Sequence, residues 1–254
     1  MFNDLKKKTV IITGGSGFLG SQFVKAFQSK KSNIIILDLV KKKYKNQKTY
    51  QYHCDVSNED SVKNVFNKII KKFRVIDVLI NNAAIDHLPK NKKNNNNFEN
   101  FDLIKWNKEL NVGLTGAMIC TKIFGRQMAA QKNSGVILNI SSDLGIIAPN
   151  QKIYKKLNFT KPVTYSAIKH GIIGLTKYTA SYWGDKKVRC NALAPGGINQ
   201  NFDKSFVNKI IKLIPMNRMA KKNEYNNLVL FLCSNESSYI TGTTIVADGG
   251  RSII

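Results

Sequence analysis

The chain has 254 residues, of which 43% are hydrophobic, and its formal net charge is +24 at pH 7. This length suits one large α/β domain built around a single core. No run of about 18 or more apolar residues appears, so we expect no membrane span. The first residues contain no apolar signal segment, and we expect a cytoplasmic protein.

The positive charge has two interpretations. It is typical of proteins that bind nucleic acid, an anionic membrane or a phosphorylated substrate. It also follows from a composition rich in Lys, Asn and Ile, with no basic motif interleaved with aromatic residues. We favour the second interpretation and expect no nucleic-acid partner.

The cysteines and histidines predict neither a disulfide framework nor a metal site. The cysteines are scattered, without a C-x-x-C pair, and we expect buried thiols in a reducing compartment. The histidines lack metal-ligand spacing, so we expect no metal. These residues are Cys54, Cys120, Cys190, Cys233, His53, His87 and His170.

The first predicted elements form a phosphate-binding unit. A buried strand at 9–13 runs into the glycine-rich turn Gly14–Gly20, and an amphipathic helix follows. Glycines let the backbone approach a pyrophosphate, and the helix N-terminus offers free N–H groups and a positive dipole end. The turn is therefore a candidate dinucleotide site.

The second predicted strand, 33–38, ends in Asp38. A carboxylate at this position binds the ribose hydroxyls of NAD and repels the 2′-phosphate of NADP. Lys41, Lys42 and Lys43 follow closely and keep NADP open as the less favoured alternative.

Further strands are predicted at 51–56, 75–80, 136–140, 188–193 and 242–247, with helical segments between them. This alternation predicts a parallel sheet of about seven strands with helices on both faces. Asp55 and Val56 end one strand, and the small residues of Asn81–Ala84 follow another, where a cofactor can lie against the backbone. The segment 101–130 is predicted as one long helical region carrying Asn111.

Tyr165 and Lys169 lie four residues apart on a predicted helix and therefore share one face. An ammonium near a phenol favours the phenolate, so we expect a lowered pKa for Tyr165. Such a phenol is a proton donor and acceptor for carbonyl/alcohol interconversion near neutral pH.

Together these motifs resemble the short-chain dehydrogenase/reductase family over nearly the whole chain. The matching features are the glycine turn, Asp38, Asp55-Val56, Asn81–Ala84, Asn111, Ser141-Ser142, Tyr165-x-x-x-Lys169, Pro195-Gly196 and the tail from Tyr239 to Gly250. The resemblance implies a single Rossmann-like domain over residues 1–254. It also implies a homodimer or homotetramer.

The resemblance further implies a catalytic tetrad of Asn111, Ser142, Tyr165 and Lys169. Ser142 is aligned with the family's serine because it stands three residues before Gly145. Tyr165 would exchange the proton with the substrate oxygen, and Ser142 would hydrogen-bond that oxygen. Lys169 would hold the nicotinamide ribose and lower the pKa of Tyr165, and Asn111 would fix a relay water. The implied cofactor-binding residues are Tyr165 and Lys169 with Gly14, Ser16, Gly17, Phe18, Leu19, Asp38, Asp55, Val56, Asn82, Ala83, Ala84, Pro195, Gly196 and Ile198.

The sequence departs from the family pattern in three places. Gly17 stands one residue earlier than in the shorter family members. Ser142 and Tyr165 are about ten residues further apart than usual. The extra residues form an insertion around Gln151 to Lys161, which should shape the substrate mouth. The family's Thr after Pro-Gly is replaced near Gln200. We expect the substrate loops near 86–97, 146–163 and 198–220.

The inserted segment and the Tyr165 helix are also similar to oxidoreductases of flagellin modification and surface-polysaccharide sugar synthesis. This implies a sugar or sugar-phosphate substrate, which the basic loops 90–93 and 152–156 would attract. The leading hypothesis is an NAD-preferring alcohol dehydrogenase/ketone reductase acting on a polar small molecule. The alternatives are a non-catalytic NAD(H)-binding regulator and a salt-sensitive anion binder.

Overall fold

Seven parallel strands form the centre of the structure, a computed structural model that describes residues 1–44, 46–89 and 97–254. Their order across the sheet is β3-β2-β1-β4-β5-β6-β7. The predicted parallel seven-stranded sheet is confirmed, with strand ends shifted by up to three residues. The strands are β1 (Thr9–Thr13), β2 (Asn33–Asp38), β3 (Thr49–His53), β4 (Val78–Asn81), β5 (Gly135–Ile140), β6 (Val188–Pro195) and β7 (Thr244–Ala247).

Helices cover both faces of the sheet, as the apolar central strands require. The helices are α1 (Phe18–Ser29), α2 (Glu59–Phe73), α3 (Leu103–Leu110), α4 (Gly116–Ala130), α5 (Val163–Tyr182), α6 (Lys204–Ile211) and α7 (Asn226–Cys233). On one face, Phe23 and Phe27 of α1 pack with Val229 of α7. On the other, Ile69 of α2 packs with Phe124 of α4. No helix in the described ranges is long and apolar enough to cross a bilayer.

The long helix predicted over 101–130 is interrupted at Asn111. A five-residue π-helix, Asn111–Thr115, separates α3 from α4, and the Gly116 N–H donates to the Asn111 carbonyl five residues back. Gly116 is pressed against Val56, where an added Cβ would lie 2.9 Å from a Val56 methyl group. Single π-turns of this kind are frequent at functional sites.

The inserted segment ahead of α5 folds over the carboxyl edge of the sheet. It contains two short 3-10 turns, Gln151–Ile153 and Lys155–Leu157. Tyr154 stacks on Phe206 of α6 with ring centroids 5.4 Å apart, and Phe159 packs on the other side of Tyr154. The insertion therefore has its own apolar cluster with α6. Of the predicted loop 86–97, residues 90–96, including the basic run 90–93, lie outside the described residues.

Candidate active site

One cleft of about 1030 Å³ runs along the carboxyl edge of the sheet. Every residue predicted to hold the cofactor or to take part in catalysis lines it. The predicted residues come from separate strand ends, from α1, from the π-helix and from α5, and the topology brings them together. A cleft of this size is ample for a dinucleotide and a small substrate.

The glycine turn closes one end of the cleft. Gly14 has a φ of +63°, and a Cβ there would lie 2.9 Å from the Cα of Ala83. Its N–H donates to the Leu37 carbonyl at 2.8 Å. Gly17 is the N-cap of α1, and no side chain caps this helix N-terminus. The glycine turn therefore presents backbone without side chains at a helix N-terminus, which fits the pyrophosphate of a dinucleotide.

Asn82 and Thr13 hold this turn in place. The Asn82 side-chain amide donates to the carbonyls of Thr13 and Gly14 at 3.0 and 3.1 Å. The Thr13 hydroxyl oxygen accepts the N–H groups of Asn82 and Ala83, each at 3.0 Å. Sequence reasoning did not assign this role to Thr13, although its place at the end of β1, directly before the first glycine, is a usable signal.

Asp38 is fixed at the end of β2 beside the turn. Its carboxylate accepts the Ser16 N–H at 2.9 Å and the Val40 N–H at 3.0 Å. The Lys42 ammonium donates to the Ser16 carbonyl. A carboxylate and an ammonium group therefore lie beside the same turn. Asp38 would hold the adenosine ribose of NAD, and Lys42 would attract the 2′-phosphate of NADP.

Lys169 and Ser142 lie where α5 meets the end of β5. The Lys169 ammonium is buried and donates to the Ile140 carbonyl at 2.8 Å. The Ser141 hydroxyl donates to the Lys169 carbonyl at 2.8 Å and so joins the helix to the strand end. Asn111 lines the same cleft from the π-helix.

The expected lowering of the Tyr165 pKa is wrong for this structure. Burial raises the pKa of the phenol well above its ordinary value, the Asp86 carboxylate raises it further, and the hydrogen bond with Ser142 only partly opposes them. Burial also lowers the pKa of Lys169 to about 8. The sequence showed the spacing of the two groups but not their removal from water, which disfavours both charged forms.

An ion pair behind Ser142 was missed by sequence reasoning. The Ser142 hydroxyl donates to one oxygen of Asp143 at 2.7 Å. The other oxygen accepts from Arg251 at 2.7 Å, and both charged side chains are only 4% exposed. Arg251 directly follows the Asp248-Gly-Gly250 motif, and that position was the only sequence signal for it.

A second ion pair at the substrate end was also missed. Lys161 donates to the Asp86 carboxylate at 2.8 Å, and its ammonium lies 3.7 Å from the centroid of the Tyr165 ring. Lys161 belongs to the insertion and Asp86 to the loop after β4. The lining of the cleft also includes a set of apolar and aromatic side chains, those of Tyr154, Phe202, Phe206, Ile210 and Met219.

The chain is similar to known oxidoreductases along nearly its whole length. A family model described as enoyl-(acyl carrier protein) reductase matches residues 19–252. The 3-oxoacyl-acyl-carrier-protein reductase FabG of Thermotoga maritima is 32% identical over 98% of this chain and 99% of that protein. Glucose 1-dehydrogenase 2 of Bacillus subtilis is 29% identical over 100% of this chain and 98% of that protein. The crystal structure of a short chain dehydrogenase from Leptospira borgpetersenii with bound NAD+ has a TM-score of 0.91 and 30% identity, and the match covers 99% of this chain and 96% of that one.

Proposed function

The chain belongs to the short-chain dehydrogenase/reductase family, and we propose that it interconverts an alcohol and a ketone on a polar, sugar-like metabolite with NAD as cofactor. The main observation in support of this function is that one cleft contains Tyr165, Lys169 and Ser142 together with an open glycine turn. The crystal structure of the similar Leptospira borgpetersenii dehydrogenase, which contains bound NAD+, supports the choice of cofactor.

Gly14–Gly20, Asp38 and Asn82 are the residues that would hold the cofactor. The open backbone of the turn suits the pyrophosphate, and the Asp38 carboxylate suits the adenosine ribose. When bound, NAD supplies the acceptor or donor of the hydride. The chain itself supplies orientation, charge and the route of the proton.

Tyr165 carries the proton in this proposal. In alcohol oxidation its phenolate takes the hydroxyl proton of the substrate, and in ketone reduction the phenol returns a proton to the same oxygen. The Ser142 hydroxyl hydrogen-bonds that oxygen, while Asp143 retains Arg251 and the Leu144 N–H as partners. Burial disfavours the phenolate. The ammonium groups of Lys161 and Lys169, 3.7 and 5.7 Å from the ring centroid, oppose that effect and so favour the oxidation step.

The sugar-like substrate is supported by the mixed lining of the cleft. The Asp86 side chain is 44% exposed, so its carboxylate is available to accept hydrogen bonds from sugar hydroxyls. The rings of Tyr154 and Phe206 stack on each other and add an apolar part to the lining of the same cleft. The similarity to glucose 1-dehydrogenase 2 supports the same class. A place in flagellin or surface-glycan sugar synthesis is the narrowest form of this proposal.

The apolar wall favours one second candidate, a ketone carried on an acyl chain. The cleft lining includes Phe202, Phe206, Ile210 and Met219, and 3-oxoacyl-acyl-carrier-protein reductase is among the similar proteins. The non-catalytic regulator is not favoured, because the chain keeps both Tyr165 and Lys169.

The test is a turnover screen with purified protein. NADH oxidation is measured with a panel of keto-sugars, keto-sugar phosphates and 3-oxoacyl thioesters, and NAD+ reduction with the corresponding alcohols. Turnover of a sugar, absent in Tyr165→Phe, supports the proposal. Turnover restricted to acyl thioesters selects the second candidate. Tight NADH binding without turnover of any panel compound, or of any compound in a metabolite extract, would favour the non-catalytic NAD(H)-binding regulator.

We further propose that the protein works in the cytoplasm as a homodimer or homotetramer. The exposed Met118 of α4 and Tyr178 and Tyr182 of α5 are apolar or aromatic surface on the helices that would pair. Light scattering at working concentration measures the assembly directly.

A further inference from the structure

The ammonium of Lys161 lies closer to the Tyr165 ring than that of Lys169 does. The Nζ atoms of Lys161 and Lys169 are 3.7 and 5.7 Å from the ring centroid. Lys161 also donates to Asp86 Oδ1 at 2.8 Å and to the His87 carbonyl at 3.3 Å. Its side chain is 9% exposed. The cation is therefore held over the face of the phenol by a carboxylate and a backbone oxygen.

The insertion fixes this position through its backbone. The Lys161 N–H donates to Gln151 Oε1 at 3.1 Å, and Gln151 Nε2 donates back to the Lys161 carbonyl at 2.9 Å. Pro162, the N-cap of α5, follows at once. A buried ammonium is costly unless it is paired, and here the pairing carboxylate comes from another loop. The pair therefore joins two cleft loops across the face of the ring.

A cation above a phenol ring favours ionisation of the phenol. The attraction between the ammonium and the ring increases when the ring gains the phenolate charge. The Asp86 carboxylate has the opposite effect and raises the pKa of Tyr165. Lys161 also helps to lower the pKa of Lys169, so one ammonium acts on both of these groups.

Other charged groups reach the phenol from several elements. Asp143 follows β5, and its charge is opposed by the Arg251 guanidinium from the segment after β7. Tyr154 lies on the insertion, and Ser142 makes a hydrogen bond with the phenol. Lys169 is on α5, with its ammonium 5.7 Å from the ring centroid. Among the groups named here, Lys161 and Asp86 are the pair whose members can each be neutralised without altering the tetrad.

We propose that Lys161 and Asp86 are paired positioning residues of opposite effect, Lys161 promoting and Asp86 opposing the loss of the Tyr165 proton. This inference rests on the proposed function, in which Tyr165 exchanges that proton with the substrate. The extra residues before α5 thus add a charge to the site as well as a wall.

The test is the pH dependence of kcat/KM for alcohol oxidation at saturating NAD+ in Lys161→Met, Asp86→Asn and the double variant. We expect the midpoint of the rising limb to move to higher pH in Lys161→Met and to lower pH in Asp86→Asn, each by about one pH unit, or about tenfold in rate on that limb. The double variant should fall between them. Midpoints that stay fixed, or that move in the same direction in both single variants, would overturn the proposal.

The matched control is Lys122→Met, which removes the lysine of the exposed Lys122–Glu59 pair at 2.7 Å, outside the cleft. Its midpoint should equal that of the wild type. Lys161→Gln is a second neutral substitution at Lys161, and Asp86→Asn keeps the volume of the exposed Asp86 side chain.

A direct titration separates this inference from the proposed function. In NAD+-saturated protein labelled with carbon-13 at the tyrosine ring, the Tyr165 resonance is identified among the nine tyrosines by its loss in Tyr165→Phe. The Tyr165 phenol of the Asp86→Asn variant should ionise at lower pH than that of the wild type, even if no alcohol is turned over. Identical resonances in the two proteins at every pH would overturn the inference and leave the proposed function standing.

Discussion

Arg251 donates a hydrogen bond of 2.7 Å to the carboxylate of Asp143, and the side chains of both residues are 4% exposed. The pair joins the segment after β7 to the residue that follows Ser142. The same carboxylate accepts the Ser142 hydroxyl at 2.7 Å. A buried ion pair therefore supports the serine proposed to contact the substrate oxygen.

We expect Arg251→Met to lower the free energy of unfolding by about 3–5 kcal/mol, because it leaves the Asp143 carboxylate buried without its cation. Denaturant unfolding measures the loss. The matched control is Arg218→Met, which breaks the exposed Arg218–Glu224 pair at 2.6 Å and should cost no more than about 1 kcal/mol. Equal losses in the two variants would contradict the role of burial.

The Tyr165→Phe variant should lose at least about a thousandfold in kcat, since it removes the exchanging proton and keeps the ring. NADH affinity, measured by fluorescence titration, should stay within about twofold of wild type because the glycine turn and Asp38 are unchanged. Tyr178→Phe, an exposed tyrosine on the same helix, should keep its activity. A Tyr165→Phe protein with normal turnover would refute the assigned proton route.

Cofactor preference should depend on Asp38. We expect Asp38→Ser to lower the ratio of kcat/KM for NADH over NADPH by at least about tenfold, because the charge that repels the 2′-phosphate is lost. Lys42 lies beside the same turn through its bond to the Ser16 carbonyl. The double variant Asp38→Ser/Lys42→Gln should recover part of the ratio if Lys42 attracts that phosphate. An unchanged ratio in Asp38→Ser would exclude the carboxylate as the discriminating group.

The glycine turn should tolerate no side chain at Gly14. A Gly14→Ala protein combines a φ of +63° with a Cβ 2.9 Å from the Cα of Ala83, so we expect about 1–2 kcal/mol of destabilisation and NADH binding weakened at least tenfold. The control is Gly174→Ala in α5, where an added Cβ meets nothing within 4 Å. This control should be stabilised by up to about 1 kcal/mol. Calorimetry of NADH binding and thermal unfolding of both proteins make the comparison.

Lys169 should oppose stability at neutral pH. Burial lowers its pKa from 10.5 to about 8, so the unfolded state binds more protons between these two values. The destabilisation is fully present below about pH 8 and is lost as the pH rises towards 10.5. It amounts to roughly 3 kcal/mol at neutral pH.

We therefore expect Lys169→Met to be inactive yet more stable than wild type at neutral pH, with the difference shrinking as the pH approaches 10. The Tyr165 phenol, whose pKa burial raises in the folded protein, is present in both proteins, so the comparison isolates the lysine. Urea unfolding of both proteins across the range measures it. A stability difference that is constant with pH would show that the lysine is not held with a lowered pKa.

The amino-acid sequence was sufficient to predict the fold, and the predicted cofactor and tetrad residues all line the cleft. The regular alternation of apolar strands and amphipathic helices requires a parallel sheet, and the motifs at the strand ends must then meet at one edge. The break at Asn111 was not predicted, because it depends on how closely Gly116 approaches Val56. Local periodicity contains no information on that approach.

The charges around the phenol were decided by the tertiary structure alone. Tyr165 and Lys169 are four residues apart, so their proximity follows from helix geometry. Lys161–Asp86 and Asp143–Arg251 join residues 75 and 108 positions apart. Residue spacing fixes which groups share a helix face. Only the packed chain fixes how much water and which distant charges surround them, and those determine where the proton resides.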